Sequence, residues 1–193
     1  MKHLAITGNI GSGKSTACRF FERLDIPVYY SDARAKKLMI EDQEVIGAIK
    51  DLLGEESYSE DRTLNRSHVA SKIFSDKTLL EQMNTIVHPA VRKDYHSWRE
   101  NQDAIFTLQE SALTFEIGAE KIMDHVILVY APEALLIKRS TKRDGIDEAA
   151  VRQRLDKQMS QDLKAQKADY ILFNGLTDSL LFQIQRLYHE LSI

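Results

Sequence analysis

The stretch Gly8-Asn9-Ile10-Gly11-Ser12-Gly13-Lys14-Ser15-Thr16 limits what this chain can fold into more than any other. An apolar run, Leu4-Ala5-Ile6-Thr7, precedes it and reads as a short buried strand. Ala17 through Leu24 follows and reads as a helix with Phe20, Phe21 and Leu24 on one side. A strand, a glycine-rich turn and Gly-Lys-Ser opening a helix form the P-loop pattern G-x-x-x-x-G-K-[ST] in the context it requires. A phosphate chain lies against bare backbone only where side chains are absent, and glycine also adopts the torsions of such a turn at little cost. The N–H groups of the turn and the positive end of the helix then face the anion. This reading makes Asn9, Ile10, Gly11, Ser12, Gly13, Lys14, Ser15 and Thr16 a nucleoside triphosphate site. Lys14 reaches the β- and γ-phosphates, and the Ser15 hydroxyl binds Mg²⁺. The bland alternative is a turn that merely joins strand to helix. The motif leaves open whether phosphate is transferred, hydrolysed or only sensed.

The next segments bring polar groups to the same sheet edge. After a break at Asp25-Ile26-Pro27, Val28-Tyr29-Tyr30 reads as a strand ending at Ser31-Asp32. Asp32 thus lies just past a strand's carboxyl end, where open α/β sheets bind ligands. It reads as a functional carboxylate, as the N-cap of a helix starting at Ala33, or as both. Ala104 to Gln109 reads as a third strand ending at Glu110. Glu110 is a candidate for metal through water or for an acceptor hydrogen bond, with a solvated loop carboxylate slightly favoured. His125 to Tyr130 reads as a fourth strand, and Ala168 to Phe173 as a fifth, with Asn174-Gly175 turning at its end.

From Ala33 to about Asn101 the periodicity is helical. Val45, Ile46, Ile49, Leu52 and Leu53 share a face and Gly54 stops that helix. Ser67 reads as the N-cap of the next, and Ser75-Asp76 as the start of another. His88-Pro89 reads as a break, with Pro89 in the first turn of a helix continuing to Trp98. A parallel crossover needs only about a dozen residues. The excess predicts an inserted substrate-binding subdomain over 33–101. Arg66, Lys72, His88 and Arg92 are its candidates for charged acceptor groups, each against an ordinary surface role.

A helix starting near Pro132 ends in Lys138-Arg139-Ser140-Thr141-Lys142-Arg143-Asp144-Gly145, and the next carries Arg152, Arg154 and Lys157. These cations stand out in a chain of net charge −3. They read as a solvated face with i,i+4 partners such as Glu148 to Arg152, or as a lid over 139–164 whose Arg139 and Arg143 neutralise transferring phosphate. The final helix, from Asp178, turns Leu180, Leu181, Ile184, Leu187, Tyr188 and Leu191 inward.

The acidic balance argues against a nucleic-acid binder. No apolar run approaches the ~20 residues of a membrane span, and a strand starting at Lys2 predicts no signal peptide. The single cysteine, Cys18, allows no internal disulfide and suits a cytoplasmic protein with a small core residue there. Without a heptad run, a monomer is expected.

Taken in order, these residues resemble the dephospho-coenzyme A kinase family over nearly the whole chain. Ile10 before Gly11-Ser12-Gly13-Lys14-Ser15-Thr16, Val28 through Asp32, Leu64-Asn65-Arg66, His88-Pro89, Arg139 through Gly145 with Arg154 and Gln158, and Ala168-Asp169-Tyr170-Ile171 with Asn174-Gly175 carry the likeness. Two positions depart. Tyr30 stands where the family has an aspartate, and Ser111-Ala112-Leu113 where it often has Pro-Leu-Leu. The resemblance implies a three-layer α/β P-loop nucleotide-kinase fold with a five-stranded parallel sheet, a helical substrate-binding insert and a basic lid. It implies Mg²⁺, with ATP and 3′-dephospho-CoA as substrates. It implies Asp32 as catalytic base, Lys14, Arg139 and Arg143 as charge-stabilising groups, and Asn174 at the ATP base. Arg66, His88 and Glu110 are the acceptor candidates. Another small-acceptor kinase, or a module that only senses ATP, would share the P-loop.

Overall fold

The computed structural model describes residues 1–61 and 63–192. They fall into two compact units: residues 1–30 with 102–193, and residues 31–101. The first unit is built on five strands, β1 (Lys2–Thr7), β2 (Val28–Tyr30), β3 (Phe106–Glu110), β4 (His125–Tyr130) and β5 (Tyr170–Phe173). All pair in parallel, in the order β2-β3-β1-β4-β5. β1 is therefore central, between β3 and β4, and the connections leaving it diverge. Ligands bind in such a crevice beyond the strands' carboxyl ends.

Alternation along the strands sets the layers. Leu4 and Ile6, Phe106 and Leu108, Ile127 and Val129 face α1 (Lys14–Glu22) and a C-terminal helix, residues 180–191. Ala17, Cys18, Phe21, Ile184 and Leu187 meet them there, all buried. Burying a side chain such as Phe21 contributes about 1.5–3 kcal/mol. The intervening positions, Ala5 and Val126, face the opposite side with Phe115, Met123, Met159 and Ala168. The C-terminal helix buries Leu180, Ile184, Leu187 and Leu191. Leu181, expected inward, is 45% exposed because it lies one position, about 100° of helical turn, off that stripe.

The second unit is helical. It holds α2 (Ser31–Glu41), α3 (Gln43–Leu53), α4 (Arg66–Ser75) and α5 (Lys77–Glu100). Asp42 caps α3, accepting from the Glu44 N–H at 2.9 Å and the Val45 N–H at 3.2 Å, and Gly54 ends it. Three sequence expectations need correction. Asn65, not Ser67, caps α4, taking the His68 N–H at 3.2 Å. Asp32 caps nothing: α2 already begins at Ser31, so Asp32 is an exposed residue of its first turn. Pro89 does not break the run but sits inside the continuous α5. Its missing N–H forfeits one i→i−4 bond, a cost that tertiary packing must offset. Met83, Val87, Val91 and Tyr95 of α5 are buried and supply that packing.

Back in the first unit, α6 (Glu133–Asp144), α7 (Glu148–Leu155) and α8 (Gln161–Lys167) lie between β4 and β5, followed by α9 (Leu180–Leu191). Among the described residues no helix is long and apolar enough to cross a membrane.

Candidate active site

The site begins where β1 ends. Gly11 and Gly13 have φ of 80° and 96°, a region that L side chains rarely adopt. Contact makes them obligatory a second time. A Cβ on Gly11 would collide with the Leu136 carbonyl and, at 2.6 Å, the Ser140 hydroxyl. One on Gly13 would collide with the Asn174 amide nitrogen. α6 and the loop after β5 are thus pressed against the turn.

Lys14 opens α1 and is buried. Its Nζ donates to the Gly8 carbonyl at 2.8 Å and lies 3.9 Å from Glu110 Oε1. Sheet register explains the pairing: Glu110 stands beside Ile6, so the last residue of β3 flanks the start of the turn. Glu110 is only 9% exposed and belongs to the strand, which overturns the solvated-loop reading. Ser15, one residue into α1, is exposed at the helix N-terminal turn, where the dipole favours anions.

Asn174 follows β5. Its Nδ2 donates to the Ser12 carbonyl at 2.7 Å, and its own carbonyl accepts from Arg139 Nη1 at 2.9 Å. Arg139 also reaches the Gly175 carbonyl at 3.4 Å. Arg139, Asn174 and the P-loop therefore form one connected network. Arg143 lies apart from it. Its guanidinium takes both Asp144 carboxylate oxygens, at 2.7 and 3.1 Å, and Asp144 also accepts from Arg154 at 3.0 Å. The hydrogen bonds from Arg143, and then the charge of Arg154, hold the Asp144 carboxyl below the usual range. Arg152 bridges Glu148 at 2.7 Å and Glu133 at 2.8 Å, so the expected i,i+4 pair is present and extends to α6.

Sequence reasoning missed the seam where the turn after α7 meets the P-loop. Gln158 Oε1 accepts the Ile10 N–H at 3.1 Å, and the Met159 carbonyl accepts from Asn9 Nδ2 at 3.2 Å. Isolated Gln and Met residues in a short turn carry no local signal of such contacts. A cavity of about 350 Å³ adjoins this seam, lined by Asn9, Tyr130, Glu133, Leu136, Arg152 and Gln161 among others.

The helical unit has its own cleft, of about 320 Å³. Met39, Leu64, Val69, Ile73, Met83 and Val87 make it apolar, with Lys36 and Arg66 beside them. Arg66 is thus a cleft residue, whereas His88, half-buried on α5, does not line it. Burial and the neighbouring Arg92 depress the His88 pKa, which favours a neutral imidazole near pH 7. The Cys18 thiol is buried and pushed up chiefly by desolvation, so it stays protonated and inert.

No group of three or more His, Cys, Asp or Glu side chains gathers as a metal cage among the described residues. The donor set still suits Mg²⁺, which commonly takes one or two protein oxygens and completes its octahedron with phosphates and water. Ser15 offers the hydroxyl, and Glu110 a carboxylate 3.9 Å from the ammonium of the neighbouring Lys14.

The dephospho-CoA kinase family model matches residues 2–178. A dephospho-CoA kinase of Salinibacter ruber is 38% identical over 194 residues, spanning 99% of this chain and 96% of the relative. One of Porphyromonas gingivalis is 40% identical over 185 residues, spanning 95% and 91%. The solved structure of the Campylobacter jejuni dephospho-CoA kinase superposes with a TM-score of 0.71 at 25% identity, covering 98% of this chain and 96% of that one.

Proposed function

The chain belongs to the dephospho-CoA kinase family, and from that membership we propose that it transfers the γ-phosphoryl group of ATP to the ribose 3′-hydroxyl of 3′-dephospho-CoA, the last step of coenzyme A biosynthesis. The observation that carries the reading is the P-loop with Lys14 on the Gly8 carbonyl and Glu110 beside it, inside a chain matched over residues 2–178.

In this proposal the turn from Asn9 to Thr16 holds the phosphates, and Asn174 with the Arg139-bound base loop flanks the adenine. Phosphoryl transfer passes through a loose transition state, so positioning and charge stabilisation dominate. Lys14 exchanges its carbonyl partners for phosphate oxygens. Ser15 would hold Mg²⁺, whose contribution would be to neutralise phosphate charge. Asp32 is the base that orients the 3′-hydroxyl and takes its proton, for which its place two residues beyond β2 and its exposure are suitable. Arg143 and Arg139 take up developing charge once they trade Asp144 and the base-loop carbonyls for phosphate. Glu110 would help hold the metal through an intervening water. The pantetheine arm lies in the apolar cleft of residues 31–101, with Arg66 and Lys36 answering its pyrophosphate. His88 is kept as an acceptor candidate only through neutral hydrogen bonding. We take the working unit to be a cytoplasmic monomer, with the helical subdomain over 33–101 and the lid over 139–164.

The test is transfer of label from γ-labelled ATP. The label should appear in a product that co-migrates with coenzyme A and is released by a 3′-nucleotidase. Label that stays in ATP, or leaves only as inorganic phosphate, refutes the transfer.

A further inference from the structure

The seam between lid and P-loop is held from behind by an ion pair whose ammonium is buried. Lys164 of α8 is 0% exposed, an unusual place for an ammonium group. Its Nζ donates to the Ala112 carbonyl at 2.6 Å and pairs with Glu116 Oε1 at 3.0 Å. The same Glu116 oxygen accepts the Met159 N–H at 2.7 Å. Met159 then passes the constraint forward, since its carbonyl accepts from Asn9 Nδ2. The adjacent Gln158 accepts from the Ile10 N–H. A continuous chain of hydrogen bonds therefore runs from Lys164 through Glu116 and Met159 to the first two variable residues of the P-loop. It also ties three segments distant in sequence: the loop after β3, the end of the lid, and the turn after β1.

Neither Glu116 nor Lys164 can touch phosphate by this route, because the oxygen and ammonium are spent on each other and on backbone. Their geometry serves the backbone at 158–159. An ammonium fully removed from water and answered by one partly exposed carboxylate calls for a reason beyond stability. We propose that Glu116 and Lys164 are positioning residues for ATP: they fix the end of the lid against Asn9 and Ile10, so that the lid and the phosphate-binding turn are presented to the nucleotide as one piece. The proposal rests on the reading of the P-loop as the ATP site.

Two charge-free double variants separate positioning from mere stability. Glu116→Gln with Lys164→Met removes both charges but keeps an acceptor for the Met159 N–H. Glu116→Leu with Lys164→Met removes the charges and the acceptor. Neither leaves a lone buried charge, and thermal unfolding of each checks that it folds. The Gln/Met protein, which loses the Lys164 clamp but keeps the acceptor, should raise the KM for ATP about two- to threefold, and the Leu/Met protein should raise it about fivefold or more, with the KM for dephospho-CoA unchanged in both. Gln158→Leu, which leaves the pair intact and breaks only the bond to Ile10, should also raise the ATP KM selectively. If the Leu/Met protein does not fold, the Gln/Met protein is the deciding variant. Equal ATP KM values in the wild type and the deciding variant overturn the proposal, as does a parallel rise in both KM values. Wild-type protein that fails to bind ATP at all would instead remove the underlying ATP reading, so the two failures are distinct.

Discussion

Gly13 shows how one residue can be fixed twice. Its φ of 96° asks for glycine, and the Asn174 amide occupies the space of a Cβ. Gly13→Ala should therefore cost about 1–3 kcal/mol of stability through strain alone. Adding Asn174→Ala should return only the steric part, and paired thermal unfolding curves measure both. Asp32 is the opposite case, an exposed carboxylate with no cap to make. Asp32→Asn should lower kcat by about 10²–10⁴-fold while ATP affinity, measured by calorimetry, stays at the wild-type level. Near-normal turnover would remove Asp32 as the base. The P-loop was legible in the sequence because its motif encodes backbone geometry directly. The burial of Glu110 was not, because it follows from strand register, which places Glu110 beside Ile6 across 104 residues of chain. The contact between Glu116 and Lys164 was hidden for the same reason: neither charged residue carries a local mark of a partner distant in the chain.

At the scale of elements, α6 and α7 are laced by ion pairs on their solvent side. Asp144 binds Arg143 and Arg154, and its pKa is depressed mainly by the Arg143 hydrogen bonds. A carboxylate with a lowered folded pKa adds stability above its unfolded value, about 3.9. That stability is lost as pH falls through the folded value. The Asp144 carboxyl should accordingly titrate below the ordinary aspartate range by NMR, and Arg143→Ala should move it back up. An unshifted titration in the wild type would deny the pair. In the helical unit, the apolar cleft makes its own prediction. Ala70 lines it, so Ala70→Phe should fill part of its 320 Å³. The KM for dephospho-CoA should rise about tenfold or more with the KM for ATP unchanged. An unchanged acceptor KM would move the arm elsewhere. Most helices here were legible from periodicity, including the Gly54 stop and the Asp76 cap of α5. The exceptions were decided by partners. Pro89 reads locally as a breaker, yet residues two and six positions away on either side of it on α5 are buried strongly enough to carry the helix through it.

For the whole molecule, strand order is what joins the parts of the phosphate site. With β1 between β3 and β4, the turn after β1, the carboxylate ending β3, α6 after β4 and the base loop after β5 belong to one sheet edge. The five strands and their parallel class could be read from the sequence. Their order could not, since no strand states its neighbour. The acceptor likewise lay beyond composition and periodicity, and came from the ordered set of family segments. The account therefore stands on one measurement: ADP release from Mg-ATP, with and without dephospho-CoA, and with adenosine as the control acceptor. It predicts strong stimulation by dephospho-CoA and none by adenosine. Stimulation by adenosine alone, or by neither while ATP still binds, would contradict it.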